Sequence, residues 1–138
     1  MRTQKILLLI FVGLFAIGCA GISKISVTGN IHDIRIEDTL SNPNLTVQVG
    51  DEIRWVNVRT EPASIEFTSE AVQSFSCNRG FSNMLGSSKN IAEVGPSKSV
   101  SLCFSKNGIY KYNVRMTASV PGGQIIVPGV INVGNIQP

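Results

Sequence analysis

The chain has 138 residues, 43% of them apolar and 15% charged, which makes one domain and neither a disordered tail nor a charge-driven polyanion binder. Its formal charge of +3 includes Arg2 and Lys5, which lie in an N-terminal segment read below as removable; without them ten basic residues face nine acidic ones, a net of +1. That balance gives no reason to invoke nucleic acid or a polybasic membrane patch, and a single histidine, His32, excludes most zinc, haem and catalytic-dyad chemistry.

The chain opens with two positive charges before Lys5 ends, then runs apolar without interruption from Ile6 to Ile17. About twelve residues cannot span roughly 30 Å of hydrocarbon, and this is the length of a signal-peptide core. The run ends in Ala16-Ile17-Gly18-Cys19-Ala20, which resembles the lipobox of bacterial lipoproteins, with Ala16 where that pattern usually has leucine. In that family the cysteine thiol takes a diacylglycerol and a peptidase cuts before it. The resemblance implies a signal peptide over 1–18, lipidation at Cys19, a tether over 19–29 and a folded domain over 30–138. It also implies a bacterial envelope protein held to the membrane by its lipid. Because Ala20 rather than Asp follows the cysteine, a double-membraned cell would sort it to the outer membrane, facing the periplasm. The alternative is an ordinary secretory signal whose cysteine is incidental.

Beyond the tether the pattern is that of short strands. Ile34 and Ile36 share a face in the run Ile31 to Glu37, Ser41 to Asn44 is a turn cluster, and Leu45 to Val49 alternates. Gly50-Asp51 turns the chain into Glu52 to Val58, and Ser64 to Phe67 is a further candidate. From about Glu70 to Ser97 the sequence is rich in Ser, Asn and Gly and reads as a long irregular connection. Ser99 to Phe104 then reads as the partner of Ile109 to Val114 in a hairpin turned at Asn107-Gly108. Gly129 to Val133 is the last strand. Seven to eight such strands predict an all-β Greek-key sandwich.

Three cysteines are an odd number for an exported protein. With Cys19 lipidated, Cys77 and Cys103 remain as a pair in an oxidising compartment. Their disulfide would close a loop of about 26 residues, worth on the order of 3 kcal/mol in the chain-entropy model. It would also tie the irregular connection to the sheet. Two unpaired thiols are the alternative.

Three segments in order resemble the cupredoxin family: Leu45 to Asn57 with its Val49-Gly50-Asp51 turn, Gly108 to Val114, and Pro128 to Val133. The resemblance implies a cupredoxin-like sandwich over most of residues 30–135. Function in that family comes from a copper ion held by two histidines, a cysteine thiolate and a weak axial methionine. Here Ala63 follows Pro62 where the first histidine is expected, and Val114 stands where the cysteine ends the Tyr-x-Tyr strand. Arg115 to Pro128 holds no second histidine, and Val127 and Pro128 lie near the position of the methionine. Alanine and valine have no lone pair to give a metal, so no metal-ligand set is predicted.

His32 shares parity with Ile34 and Ile36, which points it inward near a strand end or leaves it structural at the sheet edge. Met84 and Met116 read as packing residues, and Trp55, Tyr110 and Tyr112 as core aromatics. The carboxylates Asp51, Glu52, Glu61 and Glu66 fit turns and exposed strand faces, and no histidine-paired nucleophile stands beside them. The sequence therefore predicts a binding or accessory module, not an enzyme, with no cofactor; its partners are the membrane and another envelope protein. A copper-binding or electron-transfer protein with an atypical site is the alternative, resting on likeness of fold.

Overall fold

A computed structural model describes residues 28–134. The signal segment and Cys19 lie outside the described residues, as does most of the tether. Nine strands follow one another: β1 (Ile31–Ile36), β2 (Asn44–Val47), β3 (Glu52–Asn57), β4 (Ala63–Phe67), β5 (Phe75–Arg79), β6 (Ile91–Val94), β7 (Ser99–Phe104), β8 (Gly108–Thr117) and β9 (Gln124–Val133). They form a four-stranded sheet in the order β1-β3-β7-β5 and a five-stranded sheet in the order β2-β9-β8-β4-β6. Among the described residues no helix is long and apolar enough to cross a membrane.

The period of two seen in the sequence sets the faces. Ile34 and Ile36 are buried while the alternating Asp33 and Arg35 are exposed, and Leu45 and Val47 are buried on β2. β1 pairs parallel with β3 because β2, which intervenes in the chain, belongs to the other sheet. Parallel neighbours cannot be joined by a tight turn, so the chain must leave the sheet and return. Gly50 makes that return at φ 87°, a left-handed conformation costly for a side chain. Its N–H donates to the Phe104 carbonyl at 3.0 Å, fixing the corner to β7.

The core is aromatic. Trp55 meets Phe67, Phe81 and Tyr112 edge-to-face at ring separations of 5.8, 5.9 and 5.4 Å. Such geometry sets the positive ring edge against a negative face. Tyr112 is buried, and that burial pushes its hydroxyl up to about 12, against a lowering influence from the neighbouring Trp55 indole. Its ring occupies the space a side chain at 129 would need: a Cβ there would stand 2.2 Å from the Tyr112 ring, so the closing strand must carry Gly129. Tyr110 is only half-buried; it stacks on Phe104 at 4.0 Å, and its hydroxyl donates to the Lys106 carbonyl at 3.0 Å.

Two expectations need correction. The stretch from Glu70 to Ser97 is not irregular: it holds a 3₁₀ turn (Ser69–Ser74) and the strands β5 and β6. Both are short edge strands whose register is supplied by β7 and β4, so their own sequence pattern had little to show. The second concerns Ser99 to Phe104, which forms no hairpin with the strand after it. β7 lies between β3 and β5, whereas β8 lies between β4 and β9, so Ser105 to Asn107 cross from one sheet to the other.

Candidate functional site

The cupredoxin-like pattern directs attention to the end of the sandwich where β3, β4, β8 and β9 approach. Ala63 on β4 pairs with Met116 on β8, and Val114 pairs with Ile65 on one side and Val127 on the other. Ala63, Val114 and Met116 are all buried, and Val127 and Ile125 pack against the same core. Ala63, Val114 and Val127, the positions compared with the copper ligands, thus form one continuous apolar lining. The segment after Val114 is not a loop either. β8 continues to Thr117 and β9 begins at Gln124, leaving residues 118–123 as a hairpin tip. Its turn is closed by Ala118 N–H to Gly123 O at 2.9 Å and Gly123 N–H to Val120 O at 3.0 Å.

Two residues without a role in the sequence reading close this end. Asn57 faces inward on β3, in phase with Ile53 and Trp55, and is fully buried. Its Nδ2 donates to the carbonyls of Glu61 at 2.9 Å and Val94 at 3.0 Å, and its Oδ1 accepts from Arg59 N–H at 3.0 Å. All of the amide's main valences are met, as burial demands. Arg59 then reaches across the end. Its Nη1 donates to Asp38 Oδ1 at 2.6 Å and to the Glu37 carbonyl at 3.1 Å, while Nη2 donates to the Thr117 carbonyl at 2.7 Å. One guanidinium therefore joins the exit of β1, the β3–β4 connection and the end of β8. The parity of Asn57 was a signal available in the sequence, because a polar residue in phase with core residues must have partners.

At the opposite end lies a second polar cluster, centred on Asp51. Its carboxylate accepts hydrogen bonds from Thr28 Oγ1 at 2.6 Å, Asn30 Nδ2 at 3.2 Å and the Gln48 N–H at 3.0 Å, and His32 Nε2 lies 2.9 Å from Oδ2. Burial works to raise its pKa, but the bonds from Thr28, Gln48, His32 and Asn30 outweigh it and hold Asp51 at about 2. Asp51 lies at the turn expected for it and is buried there, and Glu52 is buried where a turn or an exposed strand face was expected. His32 is part-exposed on the edge strand β1, where it clasps the turn instead of entering the core. Thr28 bonds the same carboxylate, so the cluster ties the entry of β1 to the β2–β3 turn. Among the described residues no three His, Cys, Asp or Glu side chains gather as a metal-binding group. Type 1 copper does not fit this chain, because alanine and valine occupy the sites where imidazole and thiolate would have to stand.

Cys77 and Cys103 are bonded to each other. They are direct partners in the β5–β7 ladder, so the bridge ties the edge strand to its neighbour. Met116 packs in the core as expected, but Met84 does not: it is 104% exposed at the tip of the β5–β6 connection, beside Leu85 at 92%.

No protein-family model matches the chain, and no curated protein does. Solved structures do. A copper(I) form of one amicyanin variant is 21% identical, with a TM-score of 0.50 over 75% of this chain and 82% of that one. A second copper(I) variant is 20% identical at 0.51 over 76% and 83%, and a reduced variant is 19% identical at 0.51 over 77% and 84%. These similarities establish the fold: the chain is a cupredoxin-like β-sandwich.

Proposed function

We propose that this is a lipid-anchored protein of the bacterial envelope whose cupredoxin-like domain has lost type 1 copper and serves as a binding or accessory module. The observation that carries the reading is the apolar lining formed by Ala63, Val114 and Val127, sealed by the Arg59 and Asn57 hydrogen bonds. A metal pocket abandoned without such repacking would leave polar groups unpaired. The domain then contributes a stable scaffold, and its partner is another envelope component. No catalytic role is assigned, since the His32–Asp51 pair is engaged in holding a turn.

Two measurements test this. Adding Cu(II) to the purified exported chain is expected to produce no intense blue thiolate band; such a band, surviving His32→Ala, would overturn the copper-free reading in favour of an atypical electron-transfer site. Cys19→Ser is expected to abolish lipid radiolabelling and release the protein from the membrane fraction. Unchanged fractionation would return the N-terminus to an ordinary secretory signal.

A further inference from the structure

The connection between β5 and β6 presents two large apolar side chains to solvent on a frame that is otherwise closely held. Phe81 is fully buried against Trp55, Phe67 and Phe75 and pegs the base of the segment between the two sheets. Lys89 N–H donates to the Phe81 carbonyl at 2.7 Å, and Ser82 and Ser88 form a bridge. Asn83 Oδ1 accepts the N–H groups of Leu85 at 3.0 Å and Ser87 at 2.9 Å, and the Asn83 N–H donates to the Ser87 carbonyl at 2.9 Å. Gly86 takes the left-handed conformation that the tight tip requires. Met84 and Leu85 are thus displayed by a preformed turn, and a surface that receives them need not pay for ordering it.

The surroundings indicate what that surface is. Exposed Arg79 and Lys89 flank the tip, and neither is in an ion pair among the described residues. No acidic residue occurs between Glu70 and Glu93, so the whole connection is cationic. Two side chains on a narrow turn fall far short of the roughly 800 Å² that each partner contributes to a standard protein interface. They suit the boundary between headgroups and acyl chains, where single apolar residues insert and flanking cations meet anionic headgroups.

We propose that the Met84–Leu85 tip inserts into the interfacial layer of an anionic lipid bilayer, with Arg79 and Lys89 against the headgroups, and so orients the domain on the membrane. The inference rests on the proposed anchoring, which holds the domain near lipid, but its test carries no lipid anchor, so the two readings fail separately. Residues 19–138 with Cys19→Ser, a chain that contains every described residue, are sedimented with vesicles of phosphatidylglycerol and phosphatidylcholine in equal parts. The partition coefficient is expected to fall at least about 10-fold in Met84→Ser/Leu85→Ser, and by about 5-fold for each of Arg79→Ser and Lys89→Ser. Vesicles of phosphatidylcholine alone should remove the effect of the two cations. Ile109→Ser, at another exposed apolar site on β8, should bind as the parent does. Because Met84 faces solvent, Met84→Trp adds an independent reading: its emission should shift to the blue and be quenched by brominated lipid, against the constant background of buried Trp55. Vesicle binding that is absent, or unchanged in the double serine variant, overturns the proposal. A complex with an envelope protein that needs the tip, without any vesicle binding, does so too.

Discussion

The end of the sandwich around Ala63 and Val114 and the rim around Met84 and Leu85 treat apolar side chains in opposite ways. At the end, apolar residues are buried beneath hydrogen bonds from Asn57 and Arg59. At the rim, the polar groups are satisfied inside the turn and the apolar residues face out. The difference shows where burial energy has been placed. The sealed end contributes to stability, while an edge connection outside the core is free to present a surface.

The sharpest way to test that division is to weaken the peg beneath the rim. Phe81→Ala should destabilise the domain by about 3–5 kcal/mol, since it deletes a fully buried ring from the aromatic core. Met84→Ala, three residues away, should change stability by less than about 0.5 kcal/mol. Denaturant midpoints of the two variants give the contrast directly, and equal effects would dissolve it.

Reducing the Cys77–Cys103 bridge should cost on the order of 3 kcal/mol by releasing the constraint on the unfolded chain. Its loss frees the edge strand β5, which precedes the rim, so amide exchange should accelerate over residues 75–90 before it does so in β8. Uniform acceleration would mean that the rim is not a separate unit.

At the sealed end, Asn57→Ala strands the buried Val94 carbonyl, the part-buried Glu61 carbonyl and one N–H. A loss of about 1–3 kcal/mol is expected in thermal or chemical unfolding. A neutral result would show that water or a shifted loop satisfies these groups as well.

A further effect, of similar size, is set by pH. Asp51 has a pKa lowered in the folded state, so its stabilisation is fully present above its ordinary value near 3.8 and is lost as pH falls through about 2. The contribution is about 2 kcal/mol. Stability measured between pH 5 and 2 should fall less steeply in Asp51→Asn than in the parent, and an identical slope would remove the clasp from the account.

How much of this was legible beforehand differs by residue. The alternation around Ile34 and Ile36, the Gly50-Asp51 corner and the pairing of Cys77 with Cys103 follow from local pattern and from cysteine number. That Ala63 and Val114 offer a metal no donor atom is a matter of residue identity alone. Arg59 could not be read: an arginine in a polar turn has no mark that distinguishes a guanidinium bridging three segments from one in solvent. Met84 and Phe81 look equally apolar in sequence, and only the direction of the chain at Gly80 and Gly86 sends one inward and the other out.

The sequence by itself determined the class of fold and the faces of the strands. It did so because a period of two and a positive-φ glycine are local properties. Only the tertiary structure decided which strands are neighbours, that Asn107-Gly108 marks a crossing between sheets and not a hairpin, and that β5 and β6 exist as edge strands. In a sandwich both sheets turn an apolar face to the same core, so alternation names the face of a strand but not its partner. Partners are chosen by the packing of Trp55, Phe67, Phe81 and Tyr112, whose contacts are long-range and exist only once the two sheets have closed.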